Sequence, residues 1–111
     1  MLVTDAPKDH HGKGESFSPS DLLSVSLGSC ILSIMAIAAN SSGLDINGST
    51  ATVTKEMADN PRRIAKISVT VAVPVLLDSE QKARLQAAAH ACPVHHALGI
   101  DAPILFNWKK E

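Results

Sequence analysis

Ser18-Pro19-Ser20-Asp21-Leu22-Leu23-Ser24-Val25-Ser26-Leu27-Gly28-Ser29-Cys30 continues without a charged residue to Asn40. Ser18 can accept a first-turn N–H, Pro19 suits the first helical position, and Asp21 stands where the acid of a capping box reaches back. Asn40-Ser41-Ser42-Gly43 supplies a stop, so the run predicts a helix from Ser18 to about Asn40. Apolar residues surround it on nearly all sides, the mark of a buried central helix. Leu23, Leu27, Cys30 and Ile34 share one stripe, so Cys30 is expected to point into apolar packing, which on its own leaves a thiol inert.

A run of this kind must also be tested as a membrane span or signal peptide. Ser24, Ser26, Gly28, Ser29 and Ser33 interrupt it, and its flanks are Asp21 and Asp45 rather than Lys or Arg. The preceding segment sets Asp5, Asp9 and Glu15 against Lys8 and Lys13, opposite to a signal n-region. The expectation is a soluble, cytoplasmic protein with no membrane partner.

Outward from the helix, residues 1–17 are polar and loop-like, with a short extended piece at Leu2-Val3. His10-His11 there reads as solvated loop rather than as a ligand pair. Downstream, Ser49 to Met57 alternates through Ala51, Val53 and Lys55, and Ile64 to Val75 puts Ile67, Val69, Val71 and Val73 on one face. Asp59-Asn60-Pro61 between them reads as a hairpin turn, with Arg62 and Arg63 read as solvated turn residues in preference to cations that reach a partner subunit's thiol. Asp78 can cap a second helix, with Gln81 reaching back, through Lys82 to about Ala91. A helical turn is predicted from Pro93 to Leu98, ended by Gly99, and a last strand from Pro103 to Lys109.

The order helix, strand, strand, helix, strand gives an α+β arrangement in a single domain, 1–111, at the lower end of domain size. Apolar residues make up 45% but aromatics only 3%, so the core must be built from Leu, Ile, Val and Ala. A net charge of −1 without a Lys/Arg cluster longer than two leaves no footprint for nucleic acid. Three strands are few to cover a helix that is apolar all round. Either the chain associates with itself or further sheet lies outside this sequence.

Cys30 and Cys92 are the only cysteines, 62 residues apart and too few for a secreted disulfide scaffold. Cys92 lies in Ala91-Cys92-Pro93-Val94-His95-His96. Pro93 disfavours helical angles at Cys92 and suits the start of the next turn, so Cys92 is expected where free N–H groups favour a thiolate. His95 or His96 could add a donor. Zinc could be held by His90, Cys92, His95 and His96. However, Pro93 breaks their register and no Cys-x-x-Cys pair is present, so no metal and no other cofactor is assigned; a zinc module stays as a rival.

Ser18-Pro19-Ser20-Asp21-Leu22-Leu23, Leu27-Gly28-Ser29-Cys30 and Ala91-Cys92-Pro93-Val94 together resemble the OsmC/Ohr family of osmotically induced and organic hydroperoxide resistance proteins. The resemblance covers nearly all of the chain from about residue 5. It implies a long central helix packed on an antiparallel sheet in an intertwined homodimer. It also implies a thiol-dependent peroxidase for organic hydroperoxides, with Cys30 peroxidatic, Cys92 resolving, and a dithiol or protein thiol as reductant. Such proteins bring an arginine from a strand upstream of the helix. No Arg precedes Arg62 here, so those first strands are expected to be missing. Peroxidase members also place Glu directly after the helix-start Pro, where this chain has Ser20, which leaves Asp21 as the possible acidic partner. The alternative is a non-enzymatic dimer of the same fold that binds a small apolar ligand.

Overall fold

In a computed structural model, residues 17–110 can be described. The extended piece expected at Leu2-Val3 and the His10-His11 pair lie outside them. Helix α1, Pro19–Ser41, begins as its sequence demands: the Ser18 hydroxyl accepts the Asp21 N–H and the Asp21 carboxylate accepts the Ser18 N–H, each at 3.1 Å. The helix ends at Ser42, and Gly43 follows with φ +74°, a conformation that glycine adopts without strain.

Strands β1, Thr50–Ala58, and β2, Arg63–Val73, pair antiparallel, with Val53 opposite Val69 and Lys55 opposite Ile67. The period-two pattern puts Ile67, Val69, Val71 and Val73 inward, where none is more than 2% exposed. Thr50, Thr52, Thr54 and Glu56 of β1 face solvent on the other side. Helix α2, Ser79–His90, is capped by Asp78 with Gln81 in a second capping box and buries Leu85 and Ala89, one turn apart. Its Arg84 Nη1 donates to the Ser42 Oγ at 2.5 Å, which ties α2 to the end of α1. A short helix α3, Pro93–Leu98, leads through Gly99 to strand β3, Ile104–Trp108.

β3 runs parallel to β2, with Val69 opposite Ile104 and Val73 opposite Trp108. The sheet, in order β1-β2-β3, is therefore mixed rather than antiparallel. The two helices that intervene carry the chain back across the sheet, the kind of crossover that parallel neighbours need. Leu27, Ile31, Met35 and Ala39 of α1 join the inward strand residues, Leu85, Ala89 and Cys92 in one core. By length and composition α1 could cross a membrane; here this stripe makes it the core helix of the fold. At Gly28 the helix comes so close to the sheet that a Cβ would lie 2.8 Å from Val53 Cγ1.

Candidate active site

Pro93 decides where Cys92 stands. It excludes helical angles from the residue before it and then begins α3, so Cys92 becomes the N-cap, with φ −61° and ψ 122°. Its Sγ accepts the backbone N–H of His95 at 3.4 Å. Cys92 is 0% exposed and has the Cys30 thiol as its neighbour where α3 meets α1. Both thiols are free. Two residues distant in sequence are thus brought near one another.

The helix start that was to favour a Cys92 thiolate is sealed from water. Burial, and next the adjacent Cys30 thiol, push the Cys92 thiol above its usual range, while the N–H groups of His95 and Val94 oppose them without prevailing. The proton therefore stays on Cys92. Cys30 departs from expectation in the other direction. It is half-buried and packs against the core from the margin of the enclosed stripe Leu27, Ile31, Met35 and Ala39.

The imidazoles turn away from the sulfur that one of them was expected to serve. His95 Nε2 donates to the Ala102 carbonyl at 2.8 Å and His96 Nε2 to the His90 carbonyl at 2.9 Å; a carbonyl only accepts, so each ring carries its proton there. The rings of His90 and His95 meet edge to face with centroids 6.2 Å apart. Among the described residues no group of three or more His, Cys, Asp or Glu side chains could hold a metal ion.

Asp21 lies nine residues before Cys30, about 14 Å along the helix axis, so the structure does not bring it to the thiols. It belongs to a polar clamp at the start of α1 that the sequence reading missed. Lys55 Nζ lies 2.7 Å from Asp21 Oδ1 and donates to Ser20 Oγ at 2.7 Å and Ser18 Oγ at 3.3 Å. Lys55, and then the Ser18 backbone N–H, hold the Asp21 carboxyl below the usual carboxylate range. The signal was present in the sequence: a lysine on the inward register of β1 needs an anion nearby. Arg62 and Arg63 are exposed, and Arg63 Nη1 donates to the carbonyls of Asp59 and Pro61 within its own turn.

Comparison with known proteins gives this geometry its context. The profile of OsmC-like proteins matches residues 12–107. A Psychrobacter arcticus structure, described as an osmotic stress induced and detoxification response protein, is 40% identical, with TM-score 0.88, over 97% of this chain and 79% of its own. An organic hydroperoxide resistance protein OsmC from Legionella pneumophila superposes with TM-score 0.76 at 17% identity, over 98% of this chain and 81% of its own. An organic hydroperoxide resistance protein from Vibrio cholerae, with captopril in one of its active sites, does so with TM-score 0.78 at 20% identity, over 96% and 76%. No curated protein matches the sequence. The chain belongs to the family of OsmC-like proteins.

Proposed function

We propose that this protein is a thiol-dependent peroxidase for organic hydroperoxides, acting in the cytoplasm as a homodimer, with Cys30 peroxidatic and Cys92 resolving. The observation that carries the reading is the proximity of the only two cysteines, one half-buried and one sealed, where α1 packs on α3. The Cys30 thiolate attacks the outer oxygen of the hydroperoxide; an S–O bond forms, the O–O bond breaks, and the alkoxide leaves, taking a proton to become the alcohol. Cys92 sulfur then attacks the sulfenic acid. An S–S bond forms and the hydroxyl departs as water with the proton that Cys92 has retained. A dithiol or protein thiol returns both residues to the reduced state by exchange.

The homodimer is supported by apolar surface that α1 leaves uncovered at Leu23, Val25 and Ile37, and by the outer edge of β1, unpaired among the described residues. Lys55 is committed to Asp21 within the chain, so the cation that favours a Cys30 thiolate is expected from the partner protomer. To test the reaction, reduced protein is mixed with one equivalent of cumene hydroperoxide and the free thiols are titrated. Both thiols should disappear together, and neither should in Cys30→Ser. Two unreacted thiols in the unaltered protein rule the reading out.

One observation favours the non-enzymatic alternative: a groove of about 290 Å³ between α1 and β1, lined mainly by Val25, Leu32, Ala51 and Val53, with Gly28, Ser29 and Ser33 along the helix side. Native mass spectrometry of freshly purified protein should show a retained apolar ligand if that reading is correct.

A further inference from the structure

His95 makes two hydrogen bonds in opposite directions. Its backbone N–H donates to Cys92 Sγ at 3.4 Å, and its ring Nε2 donates to the Ala102 carbonyl at 2.8 Å. Ala102 is 7% exposed and lies in the lead-in to β3, where the carbonyls of Asp101 and Pro103 accept the N–H groups of Ile67 and Val69 at 3.0 Å each. A hydrogen-bonded path therefore runs from the central strand β2, through residues 101–103 and the His95 ring, to the amide that holds the Cys92 sulfur. Apart from the His95 ring bond, helix α3 is held by the partly buried Val94 and Leu98 against the core and by its contact with α1. None of its six residues is fully buried, and a helix of that length does not hold its own geometry in water. Its other side-chain bond, from His96 Nε2 to the His90 carbonyl, returns only to the end of α2.

We propose that His95 is the positioning residue of the thiol pair: its ring anchors α3 to the sheet, and its amide thereby holds the Cys92 sulfur against Cys30. The inference deepens the reading of Cys30 and Cys92 as a redox pair and rests on it. Without the ring, α3 keeps its apolar contacts but loses its hydrogen bond to the sheet, so its position is less fixed and the effective concentration of one thiol at the other falls. The role is confined to the second step, since the His95 ring bonds a backbone carbonyl and not the half-buried Cys30.

Equilibration in glutathione buffers tests this apart from any peroxide. Each protein disulfide formed from two thiols consumes one glutathione disulfide and releases two glutathione molecules, so the buffer ratio at half oxidation reads the effective concentration of Cys92 at Cys30. His95→Ala is expected to lower it about tenfold, equivalent to about 1.4 kcal/mol. His95→Asn should do the same, because its amide nitrogen falls short of Ala102, whereas His95→Gln can reach the position of Nε2 and should restore most of the loss. Circular dichroism checks that each variant is folded. Equal values for the unaltered protein and the Ala and Asn variants would overturn the proposal, as would a Gln variant no better than Ala. In single-turnover reaction with tert-butyl hydroperoxide, His95→Ala should form the dimedone-trappable sulfenic acid at the unaltered rate and accumulate it. If the unaltered protein fails to react with hydroperoxide, the peroxidase reading falls, and the glutathione result still decides the role of His95. If it forms no disulfide in glutathione, both fall.

Discussion

The first turn of α1 and its middle are fixed to the rest of the molecule in opposite ways. At the first turn, one lysine from β1 gathers a carboxylate and two hydroxyls, at a site where Asp21 keeps a side-chain exposure of 38%. In the middle, Leu27, Gly28 and Ile31 meet the sheet by packing, and the polar contact beside them is a backbone N–H on a sulfur. Charge sits where water can still solvate it, and the thiols sit where burial and a neighbouring thiol govern Cys92. The contrast implies that the ion pair sets where the helix begins, while packing and α3 set where the sulfurs meet.

The comparison can be broken most forcefully at Gly28. A Cβ there would lie 2.8 Å from Val53 Cγ1 and 3.5 Å from Ala51 Cβ, and a branched valine side chain has few rotamers in which to yield. Gly28→Val is expected to cost about 3 kcal/mol by urea unfolding, through overpacking. A loss below about 1 kcal/mol would mean that α1 can slide away from the sheet, and that packing does not set the helix height. Lys55→Met should have a smaller effect, about 1 kcal/mol, because the pair is partly exposed and screened. It should leave the rate of disulfide formation within about twofold, as expected for distant sites. A tenfold slower rate would show that the two regions are coupled.

The smallest effects are in the pH dependence of stability, and they fall on opposite limbs. Asp21 is held below its unfolded value, so its contribution is present above about pH 3.9 and is lost as pH falls through the folded value. Cys92 is held above its unfolded value, so its contribution is present below about pH 8.5 and is lost as pH rises through the folded value. Urea midpoints should show Asp21→Asn flattening the acid limb and Cys92→Ala the alkaline one. Each variant should leave the other limb unchanged. An effect on the wrong limb would undo the assignment.

What could be read in the sequence was local. The caps at Ser18 and Asp78 follow from side chains that bond amides three residues away, and the inward face of β2 follows from strict alternation. Pro93 alone placed the start of α3. The direction of β3 was not legible, because Ile104–Trp108 alternates identically whichever way it runs, and the crossover through α2 and α3 decides. Lys55 was legible as an inward residue but its acceptors were not, since Ser18 and Ser20 lie 37 and 35 positions earlier. At the thiols, helical period put Cys30 on a stripe with Leu23, Leu27 and Ile34, whereas the face that packs on the sheet is that of Leu27, Ile31, Met35 and Ala39, which leaves Cys30 at its margin. For Cys92 the favourable amides are local, whereas the burial that outweighs them comes from packing across the fold.

A helix capped by sulfur places two demands on one atom. An oxygen at position 92 would accept the His95 amide better than a thiol does, so a laboratory search for heat-resistant variants should drift toward serine there. Every such variant would remain well folded and would have lost its second thiol. Screening this protein for robustness alone would therefore select silently against the proposed thiol chemistry.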